Sequence, residues 1–211
     1  MSRIWIYLFL FALLFLVGQI IIKFLFREWK KWKKVSLGLC VATALTLLLF
    51  KLPIENLLLS FEKPEEAFRY MNSAEIDDVL YGKESAMILY SQKNGPASQM
   101  IFPMKNGRYK LPDALSLKCV DSSFLKDGSV FVFWAKGTKD YYVIGDIVTN
   151  SGIVPVIYDN AGSKFEVQVG KDYTQISNYT SYTFWCYAFN LKEDYSITIN
   201  GKEQLLRFKL Y

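Results

Sequence analysis

The chain has 211 residues, of which 52% are hydrophobic, 17% aromatic and 21% charged, with a mean hydropathy of +0.14 and a formal net charge of +5. That balance excludes an intrinsically disordered chain, which would be poor in apolar residues and rich in net charge. Histidine is absent, which removes His-based metal sites, His general bases and Ser–His or Cys–His nucleophile pairs.

The apolar residues crowd the N-terminus. Ile4–Ile22 runs for nineteen residues without a charge, and a helix of about 20 such residues crosses a hydrocarbon core of about 30 Å. Val35–Phe50 is a second uncharged run, of sixteen residues; with Lys51 snorkelling to the headgroups, a short span over 35–52 is expected. The alternatives are a cleaved signal peptide for the first run and a buried core helix for the second. Against the first alternative, the run exceeds the usual apolar stretch of a signal peptide and no small-x-small site follows it. Against the second, no globular domain separates the runs. Residues 1–52 therefore read as a transmembrane helical hairpin, with spans at about 4–24 and 35–52 and a loop at 25–34.

The connection carries Lys23, Arg27, Lys30, Lys31, Lys33 and Lys34 against one acid, Glu28. Short loops rich in Lys and Arg stay in the cytoplasm. The expected placement is the cell membrane, multi-pass, with both termini extracytoplasmic. Trp29 and Trp32 stand among these lysines, as rings do where a chain meets the lipid bilayer. A loop pinned between two spans is a poor platform for nucleic acid. Residues 53–211 hold seventeen basic and nineteen acidic residues, and so offer no basic surface for DNA or RNA.

Residues 53–63 read as a juxtamembrane connector and 64–211 as one extracytoplasmic β-rich domain. Pro64–Tyr70 begins it as a short helix: proline suits the first helical position, and Glu65 and Glu66 sit where the helix dipole favours anions. From Glu75 the apolar period becomes two. Strands are expected at Ile76–Tyr81, Ala86–Ser91, Gln99–Lys105, Arg108–Leu111, Leu115–Asp121, Val130–Ala135, Tyr141–Thr149, Phe165–Val169, Tyr182–Asn190, Tyr195–Asn200 and Lys202–Lys209. Asn106-Gly107 and Asn200-Gly201 lie between alternating runs, the signature of two-residue type I′ hairpins. The fold class is thus membrane-anchored all-β: two N-terminal transmembrane helices, one short helix, then an antiparallel β-sandwich or open barrel.

Cys40 falls in the second span as a small packing residue. Cys119 and Cys186 both fall on exported strands and are a candidate disulfide, the alternative being two buried free thiols. Asn178-Tyr-Thr180 matches the N-glycosylation pattern, a three-residue signal that arises often by chance. Ser60-Phe-Glu-Lys63 has the S-x-x-K spacing of penicillin-recognising serine enzymes, but Pro64 follows at once and the partner motifs are missing. Adjacent acids occur at Glu65-Glu66, Asp77-Asp78 and Glu193-Asp194; neighbours on a strand face opposite sides and make poor acid–base pairs. No metal, nucleotide or other cofactor motif is present. Aromatics remain: 25 of the 35 lie in residues 53–211. Strand preference accounts for most of them. Tyr179, Tyr182 and Trp185, near a turn, are the candidate exposed binding cluster.

Three stretches carry a resemblance: Ser60-Phe-Glu-Lys-Pro-Glu-Glu-Ala-Phe-Arg-Tyr70, Val79-Leu-Tyr-Gly-Lys-Glu-Ser-Ala-Met-Ile-Leu-Tyr90 and Lys105-Asn-Gly-Arg-Tyr-Lys110. Together they resemble a PEEAF…GxxSA pattern of membrane-anchored and exported proteins of Gram-positive bacteria. The resemblance implies a bacterial envelope setting, weakens the glycosylation reading and transfers no catalytic residue. The expected function is non-enzymatic: an exported β-domain for binding or envelope interaction. The alternatives are an accessory subunit of another membrane or envelope protein, and an envelope hydrolase resting on the S-x-x-K spacing alone. Gly38, Ala42 and Thr46 are among the small residues offered to a neighbouring helix.

Overall fold

Helix α1 (Arg3–Leu25) and helix α2 (Lys31–Phe50) run antiparallel, joined by a short turn, in a computed structural model that describes residues 3–50, 54–57, 59–91, 97–112, 117–125, 127–150, 153–170 and 179–206. They approach closely because Gly38 has no side chain: a Cβ there would stand 2.1 Å from Gln19 Nε2. That amide donates to the Lys34 carbonyl at 3.3 Å, and Ile22 and Ala42 are buried in the same seam. Among the described residues one helix, over Tyr7–Leu25, is long and apolar enough to cross a membrane, a property that spans and signal sequences share. Helix α2 starts inside the lysine cluster, so Lys31, Lys33 and Lys34 take its first turn and its apolar part is shorter. Lys51 and Leu52, the expected end of that part, lie outside the described residues.

A 3-10 turn (Ile54–Leu57) ties the helices to the β-domain. Tyr7 Oη donates to buried Glu55 at 3.0 Å. The Asn56 side chain imitates a strand partner: Nδ2 donates to the Leu111 carbonyl and Oδ1 accepts from the Leu111 amide, both at 2.7 Å. Lys110 Nζ then donates to the carbonyls of Asn56 and Leu59, each at 2.8 Å. Phe61 and Tyr109 close the connection with an isolated antiparallel bridge.

Helix α3 (Pro64–Met71) forms as expected, with proline at its start and Glu65 and Glu66 in its first turn; Ala67 and Phe68 are its fully buried face. Sheet 1 is an antiparallel meander of β1 (Glu75–Tyr81), β2 (Ser85–Ser91), β3 (Ala97–Lys105) and β4 (Arg108–Tyr109). Sheet 2 contains β5 (Leu117–Leu125), β6 (Gly128–Ala135), β7 (Asp140–Asn150), β9 (Glu166–Val169) and β10 (Tyr179–Phe189) in the order β5-β6-β7-β10-β9. Sheet 3 places β8 (Ile157–Asp159), β11 (Ser196–Ile199) and β12 (Lys202–Leu205) in the order β12-β11-β8. The antiparallel all-β expectation holds at this level, with one sheet curled into a half-barrel. Both Asn-Gly pairs turn with positive φ at each residue, 53° and 72° at 106–107 and 50° and 78° at 200–201, as type I′ geometry requires.

Period-two alternation then stacks the layers. Ala86, Ile88 and Tyr90 of β2 and Phe102 of β3 pack under Phe68 of α3. Their neighbours Met87 and Ile101 face the other way, against Phe133, Ala135, Tyr142 and Trp185 of sheet 2. The opposite face of sheet 2, with Val130, Val132, Val143 and Phe184, packs on Ile197 and Ile199 of sheet 3. The order is α3, sheet 1, sheet 2, sheet 3, and the connector joins at sheet 1. Each fully buried aromatic or aliphatic chain in these interfaces stabilises the fold by about 1.5–3 kcal/mol.

Candidate functional site

The end of β10 builds a concave site. Phe189 closes the strand half-exposed, and Asn190 turns the chain with φ 56°, a left-handed conformation that asparagine tolerates. The Asn190 amide donates to the Lys139 carbonyl at 2.7 Å, fixing the turn against the β6–β7 connection. Leu191 and Tyr195 plunge back into the core between sheets 2 and 3. Asn160 pins the far wall: Nδ2 donates to the Asp194 carbonyl at 2.7 Å and Oδ1 accepts from the Ser196 amide at 3.1 Å. Between these walls lies a cavity of about 350 Å³, lined by Asn160, Ala161, Phe189, Asn190, Lys192, Asp194 and the two buried residues.

The chemistry of this cleft is mixed and balanced. Lys192 and Asp194 contribute one charge of each sign, Asn160 and Asn190 two amides, and Phe189 a ring. The Lys83 ammonium stands 3.9 Å from the centroid of that ring. Tyr195 Oη donates to Asp159 Oδ2 at 2.9 Å. Burial, then Cys186 and Asp159 nearby, push the Tyr195 phenol far above its ordinary range, so it stays a hydrogen-bond donor. Among the described residues no cluster of Cys, Asp and Glu could hold a metal ion.

A second polar group lies between sheets 1 and 2. Asp140 is fully buried. Its oxygens accept from the Glu84 amide at 2.8 Å, Ser85 Oγ at 2.7 Å, Tyr187 Oη at 2.8 Å and the Lys83 amide at 3.3 Å. Tyr142 Oη and Ser85 Oγ are 2.8 Å apart. Gly82 is required here, since a Cβ would fall 2.5 Å from Asp140 Oδ2. Burial pushes the Tyr142 and Tyr187 phenols above their usual range, and the bond to Asp140 adds to the effect at Tyr187. Ser85 donates its hydroxyl proton to the Asp140 carboxylate, which also accepts three other hydrogen bonds. The group is a clamp between sheets, with hydrogen bonds matched to a buried charge.

The aromatic cluster expected from the sequence does not assemble. Tyr179 is exposed, but Tyr182 and Trp185 are buried on opposite faces of β10, in different cores. Their spacing of three residues guarantees this on a strand, where sides alternate. The expected disulfide is also corrected. Cys119 and Cys186 are free thiols, one exposed and one buried. They belong to β5 and β10 of one sheet, with β6 and β7 between. At about 4.8 Å per strand that separation exceeds the roughly 7 Å limit for bridging.

Ser60 and Lys63 both precede α3, with Lys63 in extended backbone, so they share no helical turn. Asp77 bonds Ser91 whereas Asp78 accepts from Trp185 Nε1 at 2.6 Å, confirming that adjacent acids diverge. Lys23, Arg27, Lys30, Lys31, Lys33, Lys34, Trp29 and Trp32 gather at one tip of the hairpin, where Lys34 Nζ donates to the Arg27 carbonyl at 2.9 Å. Asn178 lies outside the described residues, as do Leu115 and the 207–209 end of the last expected strand. Asp140 and the Phe189–Tyr195 cleft went unseen in the sequence; the available signal was an acid opening an aromatic strand and an Asn-rich break closing one. No protein-family profile, curated protein or solved structure matches the chain.

Proposed function

We propose that α1 and α2 enter the bilayer together and hold the β-domain outside the cell as a non-enzymatic binding module. The observation that carries this reading is the outward face of the hairpin. Phe9, Leu16, Ile20 and Phe24 of α1 and Leu39, Leu45 and Leu47 of α2 are exposed, and only 6% of the most apolar stretch of α1 is buried within the protein. A core helix of a water-soluble protein covers such a surface; two helices that leave it bare favour a hydrocarbon surround. Tyr7, Gln19 and Ile22 contact Glu55, Lys34 and the Gly38 site, contacts that removal of a signal peptide would destroy. The basic tip supports a cytoplasmic turn, which puts the connector and the three sheets on the far side. Gly38 and Ala42 are occupied by α1, so these small residues serve the hairpin itself.

Cys119 tests the reading. Its thiol is exposed, with a pKa raised first by partial burial and then by Asp121, so labelling is run at mildly alkaline pH. In the Cys40→Ala variant, a membrane-impermeant maleimide is expected to modify Cys119 on intact cells and to miss it in inverted vesicles. The reverse pattern places the β-domain inside and overturns the proposal.

A further inference from the structure

We infer that the cleft between β10 and β11 binds a saccharide, one or two pyranose rings of an uncharged glycan. The inference deepens the binding-module reading and rests on it. Its volume of about 350 Å³ lies at the small-molecule end of protein ligand sites. The lining selects the class. One cation and one carboxylate balance, so the cleft favours neither an anion nor a cation, and both side chains are exposed, where ion pairing is weak. Hydroxyl groups, which donate and accept at once, match this set of amide, ammonium and carboxylate.

An apolar component is also present. Phe189 is half-exposed, and the Lys83 ammonium, which stands over one face of its ring, is not among the residues lining the cleft. Phe189 and the floor of buried Leu191 and Tyr195 give the cleft an apolar component against which the C–H face of a pyranose can rest. The walls are prearranged. The Asn160 amide is bonded at both ends and the Asn190 backbone is tied to Lys139, so little order remains to be imposed on binding. The side chain of Asn190 makes no hydrogen bond among the described residues and stands at the cleft.

The test uses the full-length chain in lipid nanodiscs, avoiding sugar-headed detergents. Cellobiose, maltose and N,N′-diacetylchitobiose are titrated by saturation-transfer NMR and calorimetry, with dialanine as a zwitterion of similar reach. At least one disaccharide is expected to saturate, with half-saturation at about 1 mM. Asn190→Gly, which suits the left-handed backbone, and Phe189→Leu should each weaken it about tenfold at an unchanged melting temperature. Saturation by dialanine alone, saturation indifferent to both substitutions, or no saturation by any disaccharide overturns the inference. Because the titration uses purified protein, failure here together with outside labelling of Cys119 removes the ligand class and leaves the binding-module reading standing.

Discussion

The helical hairpin and the β-domain use the same kinds of side chain in opposite ways. Phe24 is 87% exposed on α1, whereas Phe68 and Phe102 are fully buried between α3 and sheet 1, and Phe184 between sheets 2 and 3. In α1 apolar residues surround the helix, and no face distinguishes itself. In β2, β6, β7 and β10 consecutive residues are buried, on opposite faces in turn, because each strand has a different layer on each side. Polar contacts divide similarly. The hairpin has a few hydrogen bonds, such as Gln19 to Lys34, between helices whose backbone bonds are satisfied internally. The domain places a whole carboxylate, Asp140, between two sheets and surrounds it with donors. Apolar content alone therefore does not decide what is inside the domain; the next layer does.

The largest effect expected from breaking this contrast is Asp140→Ala. It leaves the Glu84 amide and the Ser85 and Tyr187 hydroxyls without their acceptor, a cost of about 4 kcal/mol from several orphaned donors. Chemical denaturation should show the domain unfolding early by near-ultraviolet circular dichroism while hairpin helicity persists in the far ultraviolet; an unchanged midpoint would mean that the clamp stabilises nothing. With the hairpin in the bilayer as proposed above, Gln19→Leu should cost far less, about 0.6 kcal/mol, the typical worth of a hydrogen bond between helices there. Steric trapping in bicelles reads that difference.

A smaller effect sharpens the contrast through pH. Tyr81 Oη donates to Glu65 Oε1 at 2.7 Å. Burial first, then this bond, push its phenol up to about 12. A phenol whose folded pKa is raised lends stability that is complete below its unfolded value of about 10. That stability is lost as pH rises through about 12. Tyr142, Tyr187 and Tyr195 shift in the same direction. The melting temperature of the domain should therefore fall from about pH 10 upward. Glu65→Gln should move the Tyr81 transition, and by charge alone that of Tyr109, to lower pH in an absorbance titration; an unmoved Tyr81 transition would show that the bond does not form in solution.

Local physics explains what was legible in the sequence. The Asn-Gly turns, the proline-led α3 and most strands follow from backbone preferences and period two, which a short window contains. Strand β8 escaped notice because Ile157–Asp159 is three residues long and follows Pro155. The division into three sheets escaped because it depends on which face another layer covers. That is why Tyr182 and Trp185 read as exposed and are buried, and why Cys119 and Cys186 read as partners and lie three strands apart. Asp140 falls one residue before the strand expected at Tyr141–Thr149; only the arrival of the β1–β2 loop makes it a buried anchor. The cleft likewise draws Asn160 and Asn190 together from distant positions.

The two exposed native thiols permit one decisive comparison, since Cys40 lies on α2 and Cys119 on β5, while Cys186 is buried. A nitroxide is attached to each in turn, in the full chain in liposomes, and its collisions with oxygen and with a water-soluble nickel chelate are measured by power saturation. The account predicts high oxygen and low nickel accessibility at Cys40 and the reverse at Cys119. Equal nickel accessibility at both would place α2 in water and contradict the hairpin.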